Sequence, residues 1–196
     1  MTTSLTVPAD IKQAFRENEE TKVAYEQAIA SMGPHVKATN RVLKLVAKNG
    51  VDVQVDSKVF DNLEKSLALS NTLIDAGQLG AHDVLLQEST LSVSGDKVTA
   101  AGICAGRNGT DTHWWGITLY ADECRTQHVI NLIGSGAGTA VIAAVLGVST
   151  GGTLGTILGF IIKAGVALLK YIDRLGGHKG LYFSVAWVGI PWLWHQ

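Results

Sequence analysis

The sequence of 196 residues has little net charge: 17 acidic residues against 16 Lys and Arg leave −1 at neutral pH. That balance excludes a molecule-wide attraction for nucleic acid, so no nucleic-acid partner is expected. Cysteine is scarce, with only Cys104 and Cys124. The pair lacks a CxxC spacing, which argues against thioredoxin-like redox work and most zinc modules. The two could close a disulfide or stay free thiols. His35, His82, His113, His128, His178 and His195 show neither HxxxH nor HExxH spacing, so no metal is expected. The Lys-Ser/Thr of a phosphate loop and a strand–GxGxxG–helix context are both missing. A Cys–His or Ser–His–Asp site would need a third orienting group. No catalytic residue, no cofactor and no enzymatic activity are therefore expected. The start, Met1 to Val7, has no secretory signal pattern. This predicts a protein secreted or released by another route, or one whose leader has been removed. Asn108-Gly109-Thr110 matches a glycosylation sequon, a pattern short enough to arise by chance.

The most telling absence is of charge between Val129 and Ile162, where no Asp, Glu, Lys or Arg occurs. About 20 apolar residues cross a bilayer as a helix, so this run suffices for nearly two passes. Ser149, Thr150, Gly151 and Gly152 mark the reversal. The run reads as a hydrophobic helical hairpin, facing either lipid or the interior of a soluble domain, because periodicity does not separate the two. Its glycines favour lipid. Gly147, Gly151, Gly155 and Gly159 recur every four residues, and Gly134 and Gly138 repeat that spacing. Each glycine costs a helix in water up to about 1 kcal/mol relative to alanine, whereas in lipid the spacing lets helices approach closely. The candidate membrane-inserting residues are Val129, Ile133, Gly134, Gly138, Ile142, Leu146, Gly147, Gly151, Gly155, Gly159, Phe160 and Ile162. Beyond them the helix continues as KAGVALLKYIDRL, with Lys163, Lys170 and Arg174 on one side. That side is a solvated stripe, a headgroup anchor or part of a water-filled lumen.

The N-terminal part, residues 1–88, reads as helical. Pro8 opens a helix that carries Ile11, Phe15, Tyr25, Ile29 and Met32 and stops at Gly33-Pro34. In PHVKATNRVLKLVAKNG the cations Lys37, Arg41, Lys44 and Lys48 follow helical spacing, which predicts a basic amphipathic helix able to meet anionic lipid. Val51, Val53 and Val55 suit a short strand or an extended connector. Ser57 reads as the N-cap of a helix bearing Phe60, Leu63, Leu67 and Ile74 and ending at Gly77.

In residues 89–196 the period changes to two. Leu91 and Val93, the turn Ser94-Gly95-Asp96-Lys97 and VTAAGICAG form a β-hairpin candidate. THWWGITLYAD supplies another strand, and GLYFSVAWVG supplies one beyond the hydrophobic hairpin. The expected fold is α+β: a helical bundle with a central hydrophobic helical hairpin and a small antiparallel β-sheet. The two parts form two small units or one compact domain. Tryptophan is confined to Trp114, Trp115, Trp187, Trp192 and Trp194. Because such rings favour the boundary of apolar and wet phases, Trp114, Trp115, Trp192 and Trp194 join the four cations as candidate membrane-surface residues. Packing inside the sheet is the alternative.

The stretch ICAGRNGTDTHWWGITLYADEC, the apolar run and GGHKGLYFSVAWVGIPWLWHQ together resemble a family of small uncharacterised bacterial proteins. An uncharged hairpin within a charged helical chain is also similar in architecture to the pore-forming bacteriocins of the colicin type, from which the β segment departs. That resemblance implies a pore-forming toxin, antibacterial or cytolytic, whose partner is a target cell membrane and which becomes a homo-oligomer on insertion. The competing expectation is a soluble binding module with the hairpin as permanent core and an aromatic β-surface for carbohydrate or protein.

Overall fold

Pro8, with its fixed φ, sits at the N-cap of the first helix, α1 (Ala9–Met32), and Asp10 lies in the first turn where the helix dipole favours an acid. The computed structural model describes residues 7–39, 41–81, 84 and 104–196. The inward stripe of α1 is Asn18, Tyr25, Ala28 and Met32, and a single 3-10 turn, Gly33–His35, ends it at Pro34.

The segment expected as a basic helix is instead a β-hairpin, β1 (Val36–Thr39) and β2 (Val42–Leu45). Arg41 stands at its turn with φ 67°. Its register pairs Val36 with Leu45, Lys37 with Lys44 and Ala38 with Leu43. The sequence therefore alternates: Val36 and Leu43 are buried while Lys37 and Lys44 are exposed on the opposite face. A period of two and β-branched residues at the strand ends prevail over the coincidental helical spacing of the cations. The hairpin docks through Asn71, whose amide donates to Leu43 O at 2.9 Å and whose Oδ1 accepts from Leu43 N at 2.7 Å.

Val51–Val53 forms one 3-10 turn. The helix that follows, α2 (Ser57–Asp75), is capped by Asp56 rather than Ser57: the Asp56 carboxylate accepts from Lys58 N and Val59 N. A carboxylate at the N-cap serves the same exposed amides as a serine hydroxyl and adds favourable charge. Phe60, Leu63, Leu67 and Ile74 are buried along α2, and Gly77 follows with φ 72°. The hairpin candidate starting at Leu91 and Val93, and the boundary between residues 88 and 89, lie outside the described residues.

Four antiparallel strands make the main sheet in the order β3 (Gly109–Thr112), β4 (Gly116–Ala121), β5 (Leu181–Ala186) and β6 (Pro191–His195). The stretch THWWGITLYAD is thus the last residue of β3, a tight turn and the whole of β4, with His113 N donating to Gly116 O at 2.7 Å. Glycine is required at 116, because a Cβ there would lie 2.1 Å from Val185 O. Alternation along the strands divides the interior. Ile117, Leu119, Leu181, Phe183, Val185 and Leu193 turn to one core. Ala186 and Trp192 turn to the other, with Trp114, Trp115 and residues of α1 and α2. The sheet is therefore a shared middle layer, and the N-terminal helices have no core separate from it.

The uncharged run folds as three helices rather than a hairpin of two: α3 (Glu123–Gly134), α4 (Thr139–Leu146) and α5 (Gly152–Leu175). Glycine decides the breaks. Gly136 at φ 79° and the N-cap Gly138 separate α3 from α4, while Gly147 at φ 70° ends α4 and Gly151 caps α5. Positive φ costs glycine nothing, so a pattern that suits helix contacts in lipid here supplies helix ends.

Candidate functional site

The residues that carry no charge are gathered on the outer side of the sheet, where α3, α4 and α5 form one layer. Amphipathic spacing selects their inward faces: Val129, Ile142, Leu146, Ile157, Leu158 and Ile161 are each at most 3 % exposed. Of the other candidate inserting residues, Ile133, Gly155, Phe160 and Ile162 are half-buried, and Gly134, Gly138, Gly147, Gly151 and Gly159 are exposed. The expected stripe of glycines along one helix does not form, because Gly147 and Gly151 lie in the connection between α4 and α5 and only Gly155 and Gly159 lie within α5. Within α5, a Cβ on Gly155 would lie 2.6 Å from Thr150 O, whereas one on Gly159 would meet nothing within 4 Å.

α5 is the one helix among the described residues long and apolar enough to cross a membrane, and 28 % of its apolar stretch is buried. The outer stripe is Thr156, Gly159, Lys163, Ala167, Lys170 and Arg174, all exposed. Its acid, Asp173, faces the opposite way and is fully buried. Burying a carboxylate requires hydrogen bonds, and Asp173 has them: Oδ2 accepts from Gln127 Nε2 at 2.9 Å and meets His178 Nδ1 at 2.8 Å, while Oδ1 accepts from Gly180 N at 3.2 Å. The sequence reading placed Asp173 on the helix but gave it no role. Here it ties α5 to α3 and to the loop entering β5. A carboxylate-oriented histidine can act as a base, but no hydroxyl or thiol nucleophile is bonded to His178 among the described residues.

The candidate membrane-surface tryptophans are turned inward in the folded chain. Trp114, Trp115 and Trp192 are 0 %, 6 % and 1 % exposed. A column of stacked rings accounts for the last two: His113 on Trp115 at 4.6 Å, Trp115 on Trp192 at 5.2 Å, and Trp192 on Tyr25 at 5.6 Å. Trp192 and Trp194 do project together, as alternation dictates, but against α1. Trp194 stacks on Phe15 at 5.5 Å and lies under the Lys22 ammonium at 5.0 Å. Rings this large release the most apolar area when buried against one another, which outweighs the interfacial preference. Glu26 of α1 collects the polar edges, accepting from Tyr182 OH at 2.6 Å, Trp192 Nε1 at 3.2 Å and Lys22 Nζ at 2.7 Å. Burial first, then donation to Glu26, pushes the Tyr182 phenol far above its ordinary value. His113 is the opposite case. Both ring nitrogens are buried without a partner, and burial lowers its pKa to about 4, Arg107 adding to the effect and Asp111 opposing it.

The candidate surface cations remain exposed but are not one helical face. Lys37 and Lys44 stand opposite each other on β1 and β2, Arg41 is at the turn, and Lys48 lies beyond β2. Cys104 and Cys124 are joined in a disulfide with Cα atoms 5.4 Å apart, fastening the chain before β3 to the first turn of α3. The same end of the sheet is held by Gln196, whose side chain accepts from Arg107 N at 2.8 Å and donates to Arg107 O, Ala121 O and Leu181 O. No pattern of spacing marks a terminal glutamine as such a fastener. Among the described residues no group of three His, Cys, Asp or Glu could hold a metal ion. Comparison with known proteins returned no matching family model, no matching curated protein and no matching solved structure.

Proposed function

We infer that this protein is a pore-forming toxin, antibacterial or cytolytic, whose apolar layer α3–α5 leaves the sheet at a target membrane and inserts, assembling there as a homo-oligomer. The observation that carries this reading is α5: 24 residues long and apolar enough by length and composition to cross a membrane, its first half within the uncharged run, with 28 % of its apolar stretch buried. The cations Lys163, Lys170 and Arg174 share one stripe with Thr156 and Gly159, so in a membrane they would turn to a wet lumen or snorkel to headgroups while Ile157, Leu158, Ile161 and Leu169 face lipid. Release outside the producing cell, and the colicin-like architecture, belong to the same proposal. Recognition of carbohydrate or protein through an aromatic β-surface has less support, since Trp114, Trp115 and Trp192 are consumed by the interior.

The test is dye release from phosphatidylglycerol–phosphatidylethanolamine vesicles from acid to neutral pH. Release is expected, with Gly159→Leu lowering it more than it lowers vesicle binding, because that site is open in the folded chain and a leucine on the stripe of the cations would obstruct the wet lumen. Vesicles that stay sealed at every pH would overturn the proposal.

A further inference from the structure

α5 is written as one helix and folded as two. Its exposed residues Thr156, Gly159, Lys163, Ala167, Lys170 and Arg174 follow intervals of three and four without interruption, the phase of a single rod. Yet Gly165, between Lys163 and Ala167, has φ 73° and ψ 167°. Side-chain-bearing residues are almost never found there. Packing does not demand a glycine at this place, since a Cβ would meet nothing within 4 Å; only the backbone conformation does. A 24-residue helix made continuous would be about 36 Å long, against about 30 Å for the hydrocarbon of a bilayer. The bent form keeps that whole stripe exposed, so what the bend interrupts is the helical backbone at Gly165 and not the amphipathic phase.

We propose that Gly165 is a hinge: in water it keeps α5 bent over the sheet, and at a lipid surface it turns to the right-handed helical region so that Gly152–Leu175 becomes one straight rod. This rests on the membrane-active reading of the same helix and adds the step by which the helix becomes long enough to span. Water tolerates the bend because the freed amides and carbonyls can be hydrated. Hydrocarbon does not, because every backbone polar group must be satisfied within the helix. The membrane itself therefore supplies the preference for the straight form, and glycine at 165 keeps both forms accessible.

Spin labels on cysteines replacing Thr156 and Arg174, both exposed, report the bend directly. A straight helix sets their backbone separation at about 27 Å for 18 residues; the protein in buffer should give a shorter distance, lengthening to that value on phosphatidylglycerol–phosphatidylethanolamine vesicles. An unchanged distance on vesicles overturns the hinge. Dye release with an unchanged distance leaves the pore standing without the hinge, and lengthening without dye release leaves the hinge standing without the pore. Gly165→Ala, disfavoured at positive φ and favoured in a helix, should speed lengthening roughly tenfold. Thr153→Ala, which raises helix propensity in α5 away from the bend, is the control. Equal rates for the two variants would overturn the proposal.

Discussion

Asn18 holds Leu193 by two hydrogen bonds, its Nδ2 donating to Leu193 O and its Oδ1 accepting from Leu193 N, each at 2.9 Å. Leu193 lies on β6, an outer strand of the four-stranded sheet, so this amide and carbonyl point away from the sheet and would be buried unpaired beneath α1. A helix side chain thus closes a sheet edge that would otherwise invite another strand. Asn71 treats Leu43 in the same way at the small hairpin. Asn18→Ala would leave both backbone groups without partners and is expected to cost about 2–4 kcal/mol. Urea unfolding of the variant measures this, and a loss under about 0.5 kcal/mol would show that water fills the gap.

His113 gives stability an acid limit. The folded protein keeps it neutral down to about pH 4, whereas an unfolded chain takes up the proton near pH 6.5. Between these values the unfolded chain binds more protons, so the stability that is fully present above about pH 6.5 is lost as pH falls towards 4. The loss is on the order of 3 kcal/mol. Charging the ring would also leave two buried N–H donors where no acceptor waits. His113→Gln should flatten the difference in melting temperature between neutral and acid conditions, and an unchanged slope would assign the acid sensitivity to carboxylates elsewhere.

Reduction of the Cys104–Cys124 disulfide should lower stability by about 3 kcal/mol, the chain-entropy value for a loop of this size, here a sequence separation of 20. Both cysteines are exposed, so a small thiol reaches them. The sheet end should stay closed in the reduced protein because Gln196 bridges Arg107, Ala121 and Leu181 independently. Amide exchange at β4 and β5, with and without reductant, checks this; loss of protection there would assign closure to the disulfide alone.

The basic segment shows where reading from spacing failed. Lys37, Arg41, Lys44 and Lys48 satisfy a helical period, while Val36, Ala38, Leu43 and Leu45 satisfy a strand period, and over so few residues both can hold at once. What settled it was the face of α2 bearing Asn71, a partner distant in sequence. His113-Trp114-Trp115-Gly116 failed for a similar reason. Two tryptophans in a tight turn are poor turn formers, and only a hydrophobic space between α1, α2 and the sheet makes the turn favourable.

The membrane candidates divide along the same line. Absence of charge from Val129 to Ile162 was enough to predict apolar helices there, because a local property such as hydropathy requires no partner. How many helices, and which faces are covered, followed from left-handed glycines and from packing on Leu119, Phe183 and Leu193.

Chemistry carried by one stretch of chain was determined by sequence: the mixed helix and sheet, the extents of α1 and α2, the uncharged segment, and the amphipathic phase of α5. Tertiary structure alone decided the roles of Asn18, His113, Asp173 and Gln196, and the burial of the tryptophans. The cost of leaving a donor, a charge or a ring unpartnered exists only once folding has removed water from around it.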